Sequence, residues 1–317
     1  MLKNGYLAAI AAMAFLTAGC GGGGGGLDGT QTASLSVGVT DAPVDDAEAV
    51  VVTFTAIELL DGDDQVRQSF VFDEPVSVDL LEQQGDRQFF LIQDRQVPVG
   101  VYEQIRLIVD GPTSANCNAV QSNPDHPNYI TVDGVDYPLI VPSGAQTGLK
   151  IQGPITLAAG GSAAYTVDFD LRKSIAERGV TGCYNLRPVL RVVDNAAVGT
   201  LVGEVDPALL ADASCTSDPV SGVGAAVYVF SGAGQTPDDF DGSDPESLTT
   251  ALLQPEPGVG VPQSFTYEVG FLLEGDYTVA LSCQAGDDAP APVDDDIEFI
   301  LPADVLVVAG EATQVDF

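Results

Sequence analysis

The sequence predicts an all-β protein: two β-sandwich domains in series behind an N-terminal signal segment and a polyglycine tether. Three observations predict it. Short runs rich in Val, Thr and Ile alternate apolar with polar residues between clusters of Gly, Pro, Asn and Asp. No stretch sustains the periodicity of an amphipathic helix. Charge also divides the chain, since all 11 Lys and Arg lie at or before Arg191 while the 46 Asp and Glu split 23 before it and 23 after.

Residues 1–19 carry the three parts of a secretory signal: Lys3, an apolar core over 7–16, and the small pair Ala18-Gly19. A core of that length is too short for the ~20 residues that span a bilayer. The pair ends at Cys20 and resembles the lipobox of bacterial lipoproteins, with Thr17 where that pattern prefers Leu. The resemblance implies that Cys20 is lipidated and that residues 20–32, with six consecutive glycines from Gly21, form a flexible tether. Gly21 directly after the cysteine resembles lipoproteins passed to the outer membrane. The expected location is therefore the bacterial cell envelope, with the membrane as a partner through the lipid anchor.

Residues 33–195 form the first predicted sandwich. Strands are expected at 34–40, 49–59, 69–72, 76–81, 89–92, 102–109, 129–132, 137–141, 149–157, 164–171 and 184–193, with single helical turns at 80–84 or 174–178. Five blocks follow one another in order: DAPVDDA at 41–47, VPVGVYEQIRL at 97–107, YPLIVPSG at 137–144, VDFDLRKS at 167–174 and LRPVLRVVD at 186–194. Together they resemble the uncharacterised bacterial lipoprotein domain family numbered 4382 in the unknown-function series. That resemblance implies an envelope-attached β domain and no transferable activity.

Residues 196–317 form the second, acidic sandwich, with strands expected at 199–205, 225–230, 264–269, 277–283, 297–300 and 305–308. EGDYTVAL at 274–281 echoes VGVYEQIRL at 99–107: in both, Gly makes a turn and Tyr opens an alternating strand. The pattern resembles transthyretin-like and carboxypeptidase-regulatory-like sandwiches. Beyond Cys20, four cysteines in an exported chain read as two disulfides with three open connectivities. Cys117–Cys183 and Cys215–Cys283 are preferred because each pair then lies within one domain.

A net charge of -35 repels nucleic acid and excludes it as a partner; salt adaptation is the simplest source of the excess. Nucleophile elbows, P-loops and zinc-protease helices are absent from the sequence. The one histidine, His126, sits between prolines and is expected to be a solvated loop residue. Catalytic residues are therefore expected to be none.

Asp239, Asp241, Asp244 and Glu246 are the candidate calcium ligands, because Ca2+ takes six to eight oxygens and a Gly-containing acidic loop can wrap it. The scarce cations Arg106, Lys150, Arg172, Lys173, Arg187 and Arg191 are expected to pair with acids along the sheets or across the domain junction. A sharper alternative joins Lys150 to Asn185 by an isopeptide bond promoted by Asp168.

The functional expectation is a non-enzymatic surface binding or structural module for an envelope protein or glycan. The alternatives are a calcium-stabilised spacer and a carboxylate-based hydrolase. Exposure of Tyr129, Tyr137, Tyr228 and Phe240 together would favour binding. A hydrolase needs two carboxylates or His126 converging in a pocket.

Overall fold

Four β-sheets make up the computed structural model of the protein, which describes residues 31–42, 47–111, 126–178, 183–257, 260, 262–289 and 293–317. Strands β1 (Thr32–Ala42), β4 (Phe89–Pro98), β9 (Ser162–Asp170) and β12 (Val189–Asp194) form one sheet in the order β12-β9-β1-β4. Within it β1 and β9 run parallel. Facing it are β2 (Ala49–Leu60), β3 (Val66–Asp79), β5 (Gly100–Val109), β6 (Tyr129–Val132), β7 (Val135–Ile140), β8 (Leu149–Leu157), β10 (Ile175–Glu177) and β11 (Tyr184–Leu186). Their order is β10-β11-β7-β6-β2-β5-β8, with β3 on the other edge of β2.

The core between these two sheets follows the period of two that strands impose. Leu35, Val37 and Val39 of β1 point inward against β2. On β2 the inward set is Val50, Val52 and Phe54, then Ile57 and Leu59. The switch of parity coincides with a bulge between Phe54 and Ala56, which returns the apolar residues to the core face. Phe54 meets Phe169 edge to face at 6.3 Å in the centre of this core.

Two further sheets come from the second half. One contains β13 (Val198–Val205), β16 (Gln254–Pro255), β17 (Phe265–Leu273) and β20 (Ala312–Gln314), in the order β16-β17-β13-β20. The other contains β14 (Ala226–Ser231), β15 (Thr249–Leu252), β18 (Gly275–Ser282) and β19 (Ile300–Val307), in the order β15-β14-β18-β19. Leu201, Val227, Val229, Phe265, Val279 and Leu281 pack between them. Gly203 is required on β13, because a Cβ there would strike the Val315 carbonyl oxygen and the Tyr267 ring. Residues 31–317 form one compact unit.

The echoed Gly-x-Tyr phrases do the same thing in both halves. Tyr102 donates to the Pro98 carbonyl and Tyr277 to the Leu273 carbonyl, each at 2.8 Å and four residues upstream. Each hydroxyl thereby ties its strand to the end of the preceding one.

Several expectations need correction. The strands expected at 69–72 and 76–81 are one strand, β3, whose bulge at residues 72–75 accommodates Pro75. The strand expected at 184–193 is two, β11 and β12, in different sheets; Pro188 between them has no N–H to continue a ladder. The first helical turn is a 3-10 turn, Leu80–Glu82, capped by Asp79 accepting from Leu81 N–H at 3.1 Å. The second lies at Leu171–Ser174, with β10 following it, because Asp170 caps the earlier position. The last two strands merge into β19, and β15 and β20 were not anticipated.

Cys215 and Cys283 form the expected disulfide across 68 residues of sequence. Cys183 is disulfide-bonded; its expected partner Cys117 lies outside the described residues, as do Cys20, the signal segment and most of the tether. No helix among the described residues is long and apolar enough to cross a membrane. The Cys215–Cys283 bond closes a long loop, so replacing both residues by Ser is expected to cost about 4 kcal/mol, read by urea unfolding.

Candidate functional site

The two pairs of sheets meet through turns of the first and strands of the second. The turn Leu171–Ser174 follows β9 directly, so its Asp170 cap aims Arg172 and Lys173 at the second half. Arg172 is only 5% exposed. Its Nη1 donates to the Tyr228 hydroxyl at 3.0 Å, and its Nη2 donates to the Ala285 carbonyl. The guanidinium lies over the Tyr228 ring at 5.4 Å and the Phe240 ring at 5.1 Å.

Asp288 supplies the counter-charge 4.0 Å away. It accepts from the Tyr228 hydroxyl at 2.6 Å and from the Phe240 N–H at 3.0 Å. Burial pushes its carboxyl above the ordinary range, and the Tyr228 hydroxyl, the Phe240 N–H and Arg172 pull against that.

Around this pair lies a second apolar cluster on the outer face of β14: Ala226, Tyr228, Phe230, Phe240 and Ala285. Lys173 extends it, donating to the Ser247 carbonyl, with its ammonium 3.3 Å from Asp170 and 4.7 Å from the centre of the Phe240 ring. It also faces Glu246 at 4.0 Å.

A second contact lies along β17. The N–H of Asp86 donates to Glu268 at 3.1 Å, and a Cβ on Gly270 would run into the Gly85 carbonyl oxygen. Beside this contact opens a cleft of about 790 Å³, lined among others by Gln84, Arg87, Glu204, Gln254, Tyr267 and Glu268. Its lining combines hydrogen-bonding side chains from both halves with one guanidinium. Burial and the neighbouring Asp86 push the Glu268 carboxyl up. Burial also raises Tyr267, whose hydroxyl donates to the Val315 carbonyl at 2.7 Å.

The acidic loop residues separate. Asp239 and Asp241 come together with Asp238, their carboxylates within 4.8 Å of one another. Asp239 also belongs to an equally tight group with Asp288 and Asp295, which sequence reasoning missed because those acids come from a distant loop. Neither Asp244 nor Glu246 belongs to such a group; Glu246 instead accepts from the Gly242 N–H and faces Lys173.

Other expectations change more. His126 is 7% exposed, not solvated: its Nδ1–H donates to the Asn128 carbonyl at 2.5 Å, while Asn128 bridges Thr53 and Asp110. It lines none of the clefts described here. Lys150, Asn185 and Asp168 do not converge. Lys150 on β8 pairs with Asp64 at 3.6 Å, β11 lies toward the opposite end of that sheet, and Asp168 binds Arg191 at 2.6 Å. Arg106 pairs with Glu58 along the sheet. Tyr228 and Phe240 are buried, Tyr129 and Tyr137 half-buried, so these four form no exposed aromatic patch.

Two stacked pairs of twisted sheets define an all-β protein of sandwich type. Residues 32–188, just under half of the chain, match the family described as Domain of unknown function (DUF4382). No curated protein matches the sequence. Among solved structures the chain is similar to a leucine-rich repeat protein from Bacteroides thetaiotaomicron, with 11% identity, 90% of this chain and 26% of that one covered, and a TM-score of 0.24. It is also similar to the TIE protein of Bacillus anthracis (8% identity, 90% and 34% covered, TM-score 0.20) and to a minor pilin of Streptococcus agalactiae (10%, 90% and 94%, 0.19). The chain spans about a quarter of the first and a third of the second. At these values the likenesses carry no argument about activity or partner.

Removing one member of a buried ion pair strands the other, at a cost of about 3–5 kcal/mol. Arg172→Ala is expected to lower stability by that amount in urea unfolding. Combined with Asp288→Asn, the loss is expected to fall short of the sum of the two single losses.

Proposed function

We propose that this chain is a lipid-anchored protein of the bacterial cell envelope that works by binding a glycan or protein, not by catalysis. The observation that carries this reading is the cleft between the two pairs of sheets, treated as two domains. Binding sites occur preferentially at domain interfaces, with a few placed polar groups for orientation. Arg87 and Gln254 offer donors from exposed side chains and Gln84 from a half-buried one, while Tyr267 and Gly203 give a rigid floor. The anchor half rests on the Ala18-Gly19-Cys20 signal and its glycine tether.

Two measurements test it. Cys20→Ala is expected to abolish acyl labelling and move the protein out of the membrane fraction. On a glycan array, followed by titration of any hit, Arg87→Ala or Gln254→Ala is expected to weaken binding about tenfold, or ~1.4 kcal/mol. The thermal midpoint should stay unchanged, because both side chains are exposed. Glycan turnover by the wild-type chain would instead favour the hydrolase alternative.

A second reading keeps calcium as a stiffener of the acidic half. Its favouring observation is the convergence of Asp239 with Asp238 and Asp241, and with Asp288 and Asp295. The ligand set then differs from the expected one, without Asp244 and Glu246. A Ca2+-specific rise in thermal midpoint, lost in Asp239→Asn, is the expected outcome.

A further inference from the structure

The floor of the cleft between the two halves is the outer face of the sheet β16-β17-β13-β20. Leu201, Val205, Phe265 and Val269 point inward to the core. Strand alternation therefore turns Val202, Glu204, Thr266 and Glu268 outward. Register sets them in two rows: Gln254, Thr266 and Glu204 lie side by side in one, and Glu268, Val202 and Gln314 in the next. The opposite wall is the 84–87 turn of the first half, which brings Gln84, Asp86 and Arg87.

Two properties of this lining select a ligand. The first is its uncharged polar side chains. Gln84, Gln254, Gln314 and Thr266 each both donate and accept hydrogen bonds, as sugar hydroxyls do. The backbone of the floor is already engaged in its own ladders. An extended peptide laid on this face gains no main-chain pairing, which supplies the affinity in strand addition. Recognition must come from side chains, and that suits a glycan.

The second property is charge. Among the described residues the cleft is lined by three carboxylates, Asp86, Glu204 and Glu268, against one guanidinium, Arg87. Three minus one leaves two negative charges in excess. Arg87 is partly occupied within its own turn, its Nε–H donating to the Gln84 carbonyl at 3.3 Å. Asp86 and Glu268 face each other from opposite walls, and each disfavours charge on the other. None of the metal-competent acid groups among the described residues includes Asp86, Glu204 or Glu268. The three are spread along the cleft, which matches cationic groups repeated along a chain and repels acidic sugars.

We propose that the cleft selects glycans bearing free amino groups, oligomers of non-acetylated hexosamine, over neutral and acidic ones. Glu204 and Glu268 accept charge-assisted hydrogen bonds from the ammonium groups. Gln254, Gln314 and Thr266 bond the hydroxyls between them, and Arg87 donates to a sugar oxygen. This selectivity rests on the cleft being the binding site.

The test is calorimetric titration of the full chain in detergent, at about pH 6 where free amines are charged. The probes are a glucosamine tetramer, its fully N-acetylated counterpart and tetralysine. The free-amine tetramer is expected to bind about tenfold tighter than the acetylated one. Glu204→Gln/Glu268→Gln is expected to abolish that preference. Both side chains are exposed, and an amide at position 268 still accepts from the Asp86 N–H, so the fold is kept. Asp73→Asn/Glu74→Gln removes the same charge from exposed positions on β3 and is expected to leave the preference intact. That control separates the cleft from general attraction to an acidic protein. Equal affinities for the two tetramers, or an equal effect of the two double variants, overturns the proposal. If Arg87→Ala or Gln254→Ala then still weakens glycan binding, the cleft stands as the binding site and only its selectivity fails. Binding of tetralysine alone, lost in Glu204→Gln/Glu268→Gln, overturns the proposal in favour of a basic peptide.

Discussion

The arrangement of the two halves depends on one buried guanidinium. Arg172 leaves the first sandwich at a capped turn and enters an aromatic cluster that belongs to the second. A charge in such a place is tolerable only when paired and hydrogen-bonded. Tyr228 on β14, and Ala285 and Asp288 on one turn after β18, meet both conditions, so two separate segments of the second half place them. Those segments must be in register with one another before Arg172 fits. The contact thus specifies an orientation more than it adds stability.

The uneven charge of the chain gives this contact further weight. The second half has no basic side chain, so every cation that neutralises one of its acids must come from residues at or before Arg191. Arg172 and Lys173 do so at Asp288 and Glu246. The remaining acids are left to solvent or to turns such as the Asp218 and Asp212 loops. In those turns the carboxylates accept backbone N–H groups and are held below their ordinary range. Much of the acidity is therefore local turn chemistry and needs no distant partner.

Most of the fold was legible because strand alternation is a local signal. The inward set on β1, the Asp79 cap and the two Gly-x-Tyr corners follow from neighbours in sequence. Legibility failed where tertiary context decides. Arg172 and Lys173 read as partners for acids along the sheets or across the junction, and they pair there with Asp288 and Glu246, but only tertiary context supplies the burial and the distant Tyr228 and Phe240 rings. Tyr228 and Phe240 were candidates for an exposed patch for the same reason. Thr249 and Thr250 form a strand because β14 needs a neighbour, not from a strong pattern of their own. His126 is buried and bonded to the Asn128 carbonyl, and Asn128 is held in turn by Thr53 and Asp110, which no spacing rule brings together. Asp288 and Asp295, which also approach Asp239, lie some fifty residues away in the chain, beyond any motif.

Strand β14 has no side turned to water. Val227 and Val229 face the core of the second sandwich, and Ala226, Tyr228 and Phe230 face the cluster that Arg172 completes. A ribosome delivers Arg172 more than fifty residues before Tyr228, so the earlier half can be assembled when the later one arrives. The reverse order would leave an aromatic surface and a buried acid waiting uncovered. The direction of synthesis thus matches the direction of dependence: the first sandwich can act as a template on which the second completes itself.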